Sequence, residues 1–145
     1  IRLPLDTAPE PTRQAAPAPV PGKSYRVLVV DDNTDAVEAT QMLLELGGHA
    51  VDVAFNGPEG IEAARHFAPE VVLCDIGLPG GMDGYAVART LRKEPTLAGV
   101  YLIAMSGYGQ VEDQRRAKEA GFDVHLIKPV ESIELQQALA SLPPR

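Results

Sequence analysis

After Tyr25, the spacing of hydrophobic and polar positions along this 145-residue chain switches repeatedly between two periods. Arg26-Val27-Leu28-Val29-Val30 is a nearly continuous β-branched run that stops at paired acids, the pattern of a buried parallel strand. Residues 35 to 46 then place Ala36, Thr40, Leu43 and Leu44 at helical spacing, and Gly47-Gly48 supplies a stop after Leu46. A strand follows near 50 to 54, then a helix near 58 to 67 opened by Asn56-Gly57-Pro58, then a second apolar run from Val71 to Cys74 ending at Asp75. Beyond a Gly/Pro loop at 77 to 84, the pattern predicts a helix over 85–92, a strand over 100–105, a helix over 111–120 and a strand over 123–127. A last helix near 132–141 puts Leu135, Ala138, Leu139 and Leu142 on one face. Five β/α pairs with short connections predict an α/β fold, a doubly wound (βα)5 flavodoxin-like parallel sheet in strand order 2-1-3-4-5. Such sheets bind ligands at the carboxyl ends of their strands, so function is to be sought there.

Composition separates the beginning of the chain from the rest. Residues 1–22 hold six of the 13 prolines and read as a Pro/Ala-rich linker, leaving 23–145 as the folded domain. The linker's charges cancel (Arg2 and Arg13 against Asp6 and Glu10), so the net charge of -7 belongs to the domain. That acidity, with no cluster of basic residues flanked by aromatics, disfavours direct binding to nucleic acid. No apolar run reaches the roughly 20 residues needed to cross a bilayer, so no membrane contact is expected from this domain. The single cysteine, Cys74, lies in an apolar run and reads as a core residue, and His49, His66 and His125 lack the spacing of a zinc site. The chain starts at Ile1 without the apolar core of a signal peptide, which reads as a cytoplasmic fragment.

Polar residues gather at the predicted strand ends. Asp31 and Asp32 close the first strand and Asp75 the third, and these strands are neighbours in the expected order. Carboxylates brought together repel one another unless a cation offsets them, and an all-oxygen set suits magnesium with retained waters. Ser106 ends the fourth strand and can donate to an anionic oxygen; Lys128 ends the fifth and can neutralise charge. Acids, metal, hydroxyl and ammonium together describe a phosphoryl site. Each residue also has a plainer use: the aspartates as a helix cap, Ser106 in a turn with Gly107, Lys128 as a solvated cation. Their shared position at one sheet edge favours the common site.

From Tyr25 to about Leu142 the chain resembles the receiver domains of two-component response regulators. The resemblance rests on Val29-Val30-Asp31-Asp32-Asn33, on Asp75-Ile76-Gly77-Leu78-Pro79 followed by Met82-Asp83-Gly84, on Met105-Ser106-Gly107 and on Lys128-Pro129. It implies that Asp75 accepts a phosphoryl group from phosphohistidine, that Asp31, Asp32, Asp75 and the Gly77 carbonyl hold Mg2+, and that Ser106 and Lys128 contact the phosphoryl oxygens. It also implies a cis Lys128-Pro129 bond, a switch made of Ser106 and His125, and a rearranged surface on the fourth helix, fifth strand and fifth helix after phosphorylation. The implied partner is a histidine kinase dimerisation and phosphotransfer domain or a separate histidine phosphotransfer protein.

Three features depart from the family pattern. Pro79-Gly80-Gly81-Met82 holds one residue more than is usual before Met-Asp-Gly. His125 replaces the usual Tyr or Phe three positions before the lysine, so the switch is expected to be partial. Gly77 and Tyr108 occupy the positions that tune phosphoryl lifetime in the family, and Gly77 brings no side chain to orient water.

Ile1-Arg2-Leu3-Pro4-Leu5 resembles the end of a histidine kinase ATP-binding domain, and the segment from Gly107-Tyr108-Gly109-Gln110 to Phe122 resembles hybrid kinases. The expected origin is therefore the carboxyl-terminal receiver of a hybrid histidine kinase, not itself an enzyme beyond slow autodephosphorylation. A free-standing regulator is the other origin considered. Two other functions compete with this reading. An aspartate-nucleophile phosphatase of the haloacid dehalogenase type needs an acid two residues after the nucleophile, where Gly77 stands. A degenerate receiver that binds partners without phosphorylation typically lacks an acid or the lysine, and here all are present.

Overall fold

The computed structural model describes residues 24–107 and 111–140, with no side-chain description at 111–113. The proposed linker at 1–22, Tyr108 and Leu142 lie outside the described residues. Five β/α pairs follow in order: β1 (Arg26–Val30), α1 (Thr34–Leu46), β2 (Ala50–Ala54), α2 (Gly57–Phe67), β3 (Val71–Asp75), α3 (Gly84–Lys93), β4 (Tyr101–Ser106), α4 (Val111–Ala120), β5 (Val124–Ile127) and α5 (Ser132–Ala140). All strand pairs are parallel and the sheet order is β2-β1-β3-β4-β5, as the spacing predicts.

Alternate residues of each central strand supply two cores. Leu28, Val30, Val72, Cys74, Leu102 and Ala104 face a layer built from α2, α3 and α4, where Ile61, Ala64, Ala88, Leu91 and Ala117 are buried. Val27, Val29, Val71, Leu73, Ile103 and Met105 face α1 and α5, meeting Val37, Leu44, Leu135, Ala138 and Leu139. Near-continuous apolar runs are what a sheet covered on both faces requires. In α1 Leu44 is buried and Leu43 packs half-buried against the same core, as the spacing predicts, whereas Ala36 and Thr40 are only half-buried and Val37, outside the predicted set, is buried. The inward face therefore also takes in Val37, about two turns before Leu44.

Local chemistry explains the boundaries. Asn33 caps α1 and Asn56 caps α2, each accepting from a backbone N–H three residues on. The end of α1 closes with Gly48 N–H on Glu45 O and His49 N–H on Leu44 O, and Gly48 takes the left-handed φ of +90° that this closure demands. His49 is held in turn, its Nδ1 accepting from Tyr25 N–H at 2.9 Å while its ring stacks on that of Tyr25.

Candidate functional site

The site lies at the carboxyl edge of the sheet. Asp31 follows β1, Asp75 ends β3 and Ser106 ends β4, so strand register fixes where their backbones emerge. Asp31 N–H donates to Ala54 O, and its Oδ1 accepts from Asn33 N–H at 3.0 Å. Because Asn33 caps α1, neither aspartate is used as a cap; both are left to the site. One carboxylate oxygen from each of Asp31, Asp32 and Asp75 lies within 4.8 Å of the others, with Asp32 exposed and the other two buried. The donor set is all oxygen and open on one side, which fits a hard divalent cation that keeps several waters.

Lys128 joins this cluster from the loop after β5. Its backbone N–H donates to Ser106 O at 2.7 Å, and its Nζ lies 2.7 Å from Asp31 Oδ2 and 3.3 Å from Asp75 Oδ2. The plainer reading as a solvated cation is thereby excluded. The sequence did not signal the direct bond between Lys128 and Asp31, whose positions are 97 residues apart. The Lys128-Pro129 peptide is cis and Pro129 is exposed. Burial lowers the Lys128 pKa, but the hydrogen bond that Lys128 donates to Asp31 and the charges of Asp75 and Asp31 outweigh it and hold the ammonium above its ordinary value. Asp75 is pushed above the usual carboxylate range, chiefly by burial and further by the Asp31 charge, with Lys128 opposing. A site whose central acid resists ionisation in this way favours a further cation beside it.

The loop after β3 keeps its anchors despite its extra residue. Gly77 is exposed and its N–H donates to Asp75 Oδ1 at 3.2 Å. Gly80 and Gly81 both adopt left-handed φ values, +82° and +84°, so the additional residue is taken up where only glycine enters without strain. Met82 packs on Gly57, Asp83 Oδ1 caps α3 through Ala86 N–H, and a Cβ on Gly84 would stand 2.5 Å from Asp75 O. The Met-Asp-Gly triplet thus spans α2, α3 and the acidic centre, and the insertion leaves it in place.

Ser106 and His125 meet directly. Ser106 Oγ lies 2.8 Å from His125 Nε2, and Ser106 is buried while His125 is half-buried. Expected from the resemblance to act in one switch, they form a directly hydrogen-bonded pair. Cys74 is fully buried beneath Asp75, and burial raises its thiol pKa, as suits an inert core residue. Among the described residues no helix is long and apolar enough to cross a membrane.

The family model described as "Response regulator receiver domain" matches residues 27–140. The chain is 33% identical over 114 residues to Protein PilH of Pseudomonas aeruginosa, covering 79% of this chain and 93% of that protein. It is 34% identical over 141 residues to a gliding motility regulatory protein of Myxococcus xanthus, covering 94% of this chain but only 18% of that protein's length. Among solved structures, the signal receiver domain of a signal transduction histidine kinase from Syntrophus aciditrophicus aligns with a TM-score of 0.71 and 28% identity, covering 81% of this chain and 90% of that one. With the fold, the acidic edge and this family match agreeing, the chain belongs to the response regulator receiver domains.

Proposed function

We propose that this receiver accepts a phosphoryl group from a phosphohistidine onto Asp75 and thereby switches a partner-binding surface. The observation that carries the reading is the gathering of three carboxylates and the Lys128 ammonium at one sheet edge, with Lys128 Nζ 2.7 Å from Asp31 and 3.3 Å from Asp75. Phosphoryl transfer asks the protein mainly for positioning and for charge opposite the equatorial oxygens. Asp75 is positioned by Gly77 N–H on Oδ1 and by Lys128 facing Oδ2. Lys128 then turns from the two acids to the incoming oxygens, and Ser106 donates its hydroxyl to another of them.

The residues that would hold Mg2+ are Asp31, Asp32 and Asp75, with the Gly77 carbonyl as the resemblance implies. When bound, the cation offsets the clustered acids and the negative charge of the transferred group. Breaking the phosphohistidine P–N bond and forming the P–O bond to Asp75 yields an acyl phosphate and a neutral imidazole once the leaving nitrogen takes a proton. The donor is a histidine kinase phosphotransfer domain or a histidine phosphotransfer protein. The likeness to a receiver carried by a histidine kinase, with the kinase-like Ile1-Arg2-Leu3-Pro4-Leu5, supports placement in a hybrid kinase.

The test is incubation with acetyl phosphate and magnesium, followed by intact mass. One base-labile phosphoryl group is expected in the wild type and none in Asp75→Asn. An undiminished mass gain in the variant would move the acceptor elsewhere.

A further inference from the structure

The Ser106–His125 pair poses a question of proton supply that a phenyl or phenol ring at this position would not. A serine hydroxyl has one proton to donate. In the resting receiver Oγ stands 2.8 Å from His125 Nε2, and an unprotonated imidazole nitrogen is a strong acceptor for that proton. If Asp75 carries a phosphoryl group, as proposed above, the anionic oxygen is the stronger acceptor and the hydroxyl must turn toward it. The contact with His125 then survives only if Nε2 brings a proton of its own. Ser106 is 7% exposed, so a hydroxyl that loses its partner there leaves a buried polar atom at a cost.

We propose that His125 is a positioning residue for Ser106: its Nε2 accepts the Ser106 hydroxyl at rest and becomes the donor to Ser106 Oγ when Asp75 is phosphorylated. The loaded state holds a directed chain, from Nε2–H to Oγ and from Oγ–H to the phosphoryl oxygen. Each bond polarises the next, because a hydroxyl that donates to an anion is itself a better acceptor. Only N–H bonds of the ring change; no bond between heavy atoms is made or broken. The proton moves between ring nitrogens by exchange with solvent, or a second proton is taken up to give the imidazolium.

The ring stands beside a cavity of about 680 Å³ between α4 and β5. Arg115, Lys118, Glu119 and Asp123 share its wall, two cations against two acids. Their charges offset one another in number, and the hydroxyl of Ser106 stands at hydrogen-bond distance from Nε2. A change in the proton at His125 is therefore delivered to the groove between α4 and β5, where a partner can meet it. In this receiver a hydrogen-bond reversal does what ring burial does with a larger aromatic.

The experiment is long-range proton–nitrogen NMR of the histidine rings in the 145-residue chain, with magnesium, before and after saturation with beryllofluoride as the phosphoryl mimic. Fluorine NMR reports loading independently. His49 supplies an internal standard, because its Nδ1 accepts from Tyr25 N–H and a neutral ring there carries its proton on Nε2. His125→Gln assigns the remaining signals. The expected result is a His125 Nε2 resonance that moves from the unprotonated to the protonated position on loading, with Ser106→Thr retaining the move and Ser106→Ala losing it. Loading with Nε2 in the same state before and after overturns this inference alone, as does an undiminished move in Ser106→Ala. Absence of any bound fluorine signal in the wild type overturns the phosphoacceptor reading and this inference with it.

Discussion

His49 ties the start of β1 to the turn after α1, and its ring does so only while neutral. Nδ1 must keep its lone pair to accept Tyr25 N–H, and burial lowers the ring's pKa from its ordinary value of 6.5. A base with a lowered pKa in the folded state contributes stability that is fully present above the unfolded value and is lost as pH falls below it toward the folded value. Urea unfolding of the wild type should therefore show a larger loss between pH 7 and the acid side of 6.5 than His49→Asn, whose Oδ1 takes the place of Nδ1 as acceptor without titrating. Equal pH slopes in the two proteins would show that His49 does not carry this dependence.

Arg92, near the end of α3, works at the level of elements. Its Nη1 donates to Ala98 O and Val100 O at 2.7 Å each, and its Nε and Nη2 reach Gly121 O at 3.0 and 2.7 Å. Nη2 also meets Asp123 Oδ2 at 2.9 Å, and that oxygen accepts Leu102 N–H. One guanidinium thus joins α3 to the approach of β4 and to the turn between α4 and β5. Gly121, at φ +117°, leaves the space it needs, since a Cβ there would lie 2.8 Å from Arg92 Cγ. Arg92→Ala strands several carbonyls in partly covered positions and should cost about 2 kcal/mol or more, read as a lower urea midpoint at unchanged slope. Arg92→Lys should fall between the two, because a point charge cannot serve a forked set of acceptors.

At the scale of the whole molecule, stability and function meet at the acidic edge. Three carboxylate oxygens within 4.8 Å of one another are an arrangement that folding tolerates and a cation rewards. A ligand that binds only the folded chain raises its stability by about 2.7 kcal/mol when present at 100 times its dissociation constant. Thermal unfolding of the wild type should accordingly rise with magnesium. Asp32→Ala should shift that titration to higher concentrations, since an exposed charged oxygen is removed from the set. An identical titration in the variant would take Asp32 out of the metal site.

How much of this was legible in the chain depended on whether period or packing set it. Val27 to Val30 and Val71 to Cys74 are apolar at every position, so both faces of those strands had to be covered, and the layer count followed. The acids, Ser106 and Lys128 stand where those runs stop, and a parallel sheet collects strand ends along one edge. Sequence period therefore determined the fold and which polar residues end at one sheet edge. It did not determine which side chains touch. Asn33 taking the α1 cap from the aspartates, Val37 facing the core, Lys128 bonded to Asp31 and Ser106 paired with His125 depend on helix rotation and on register between strands distant in sequence. Those quantities are settled when both layers pack on the sheet at once, because a side-chain contact requires agreement within a few tenths of an ångström that no one-dimensional pattern carries.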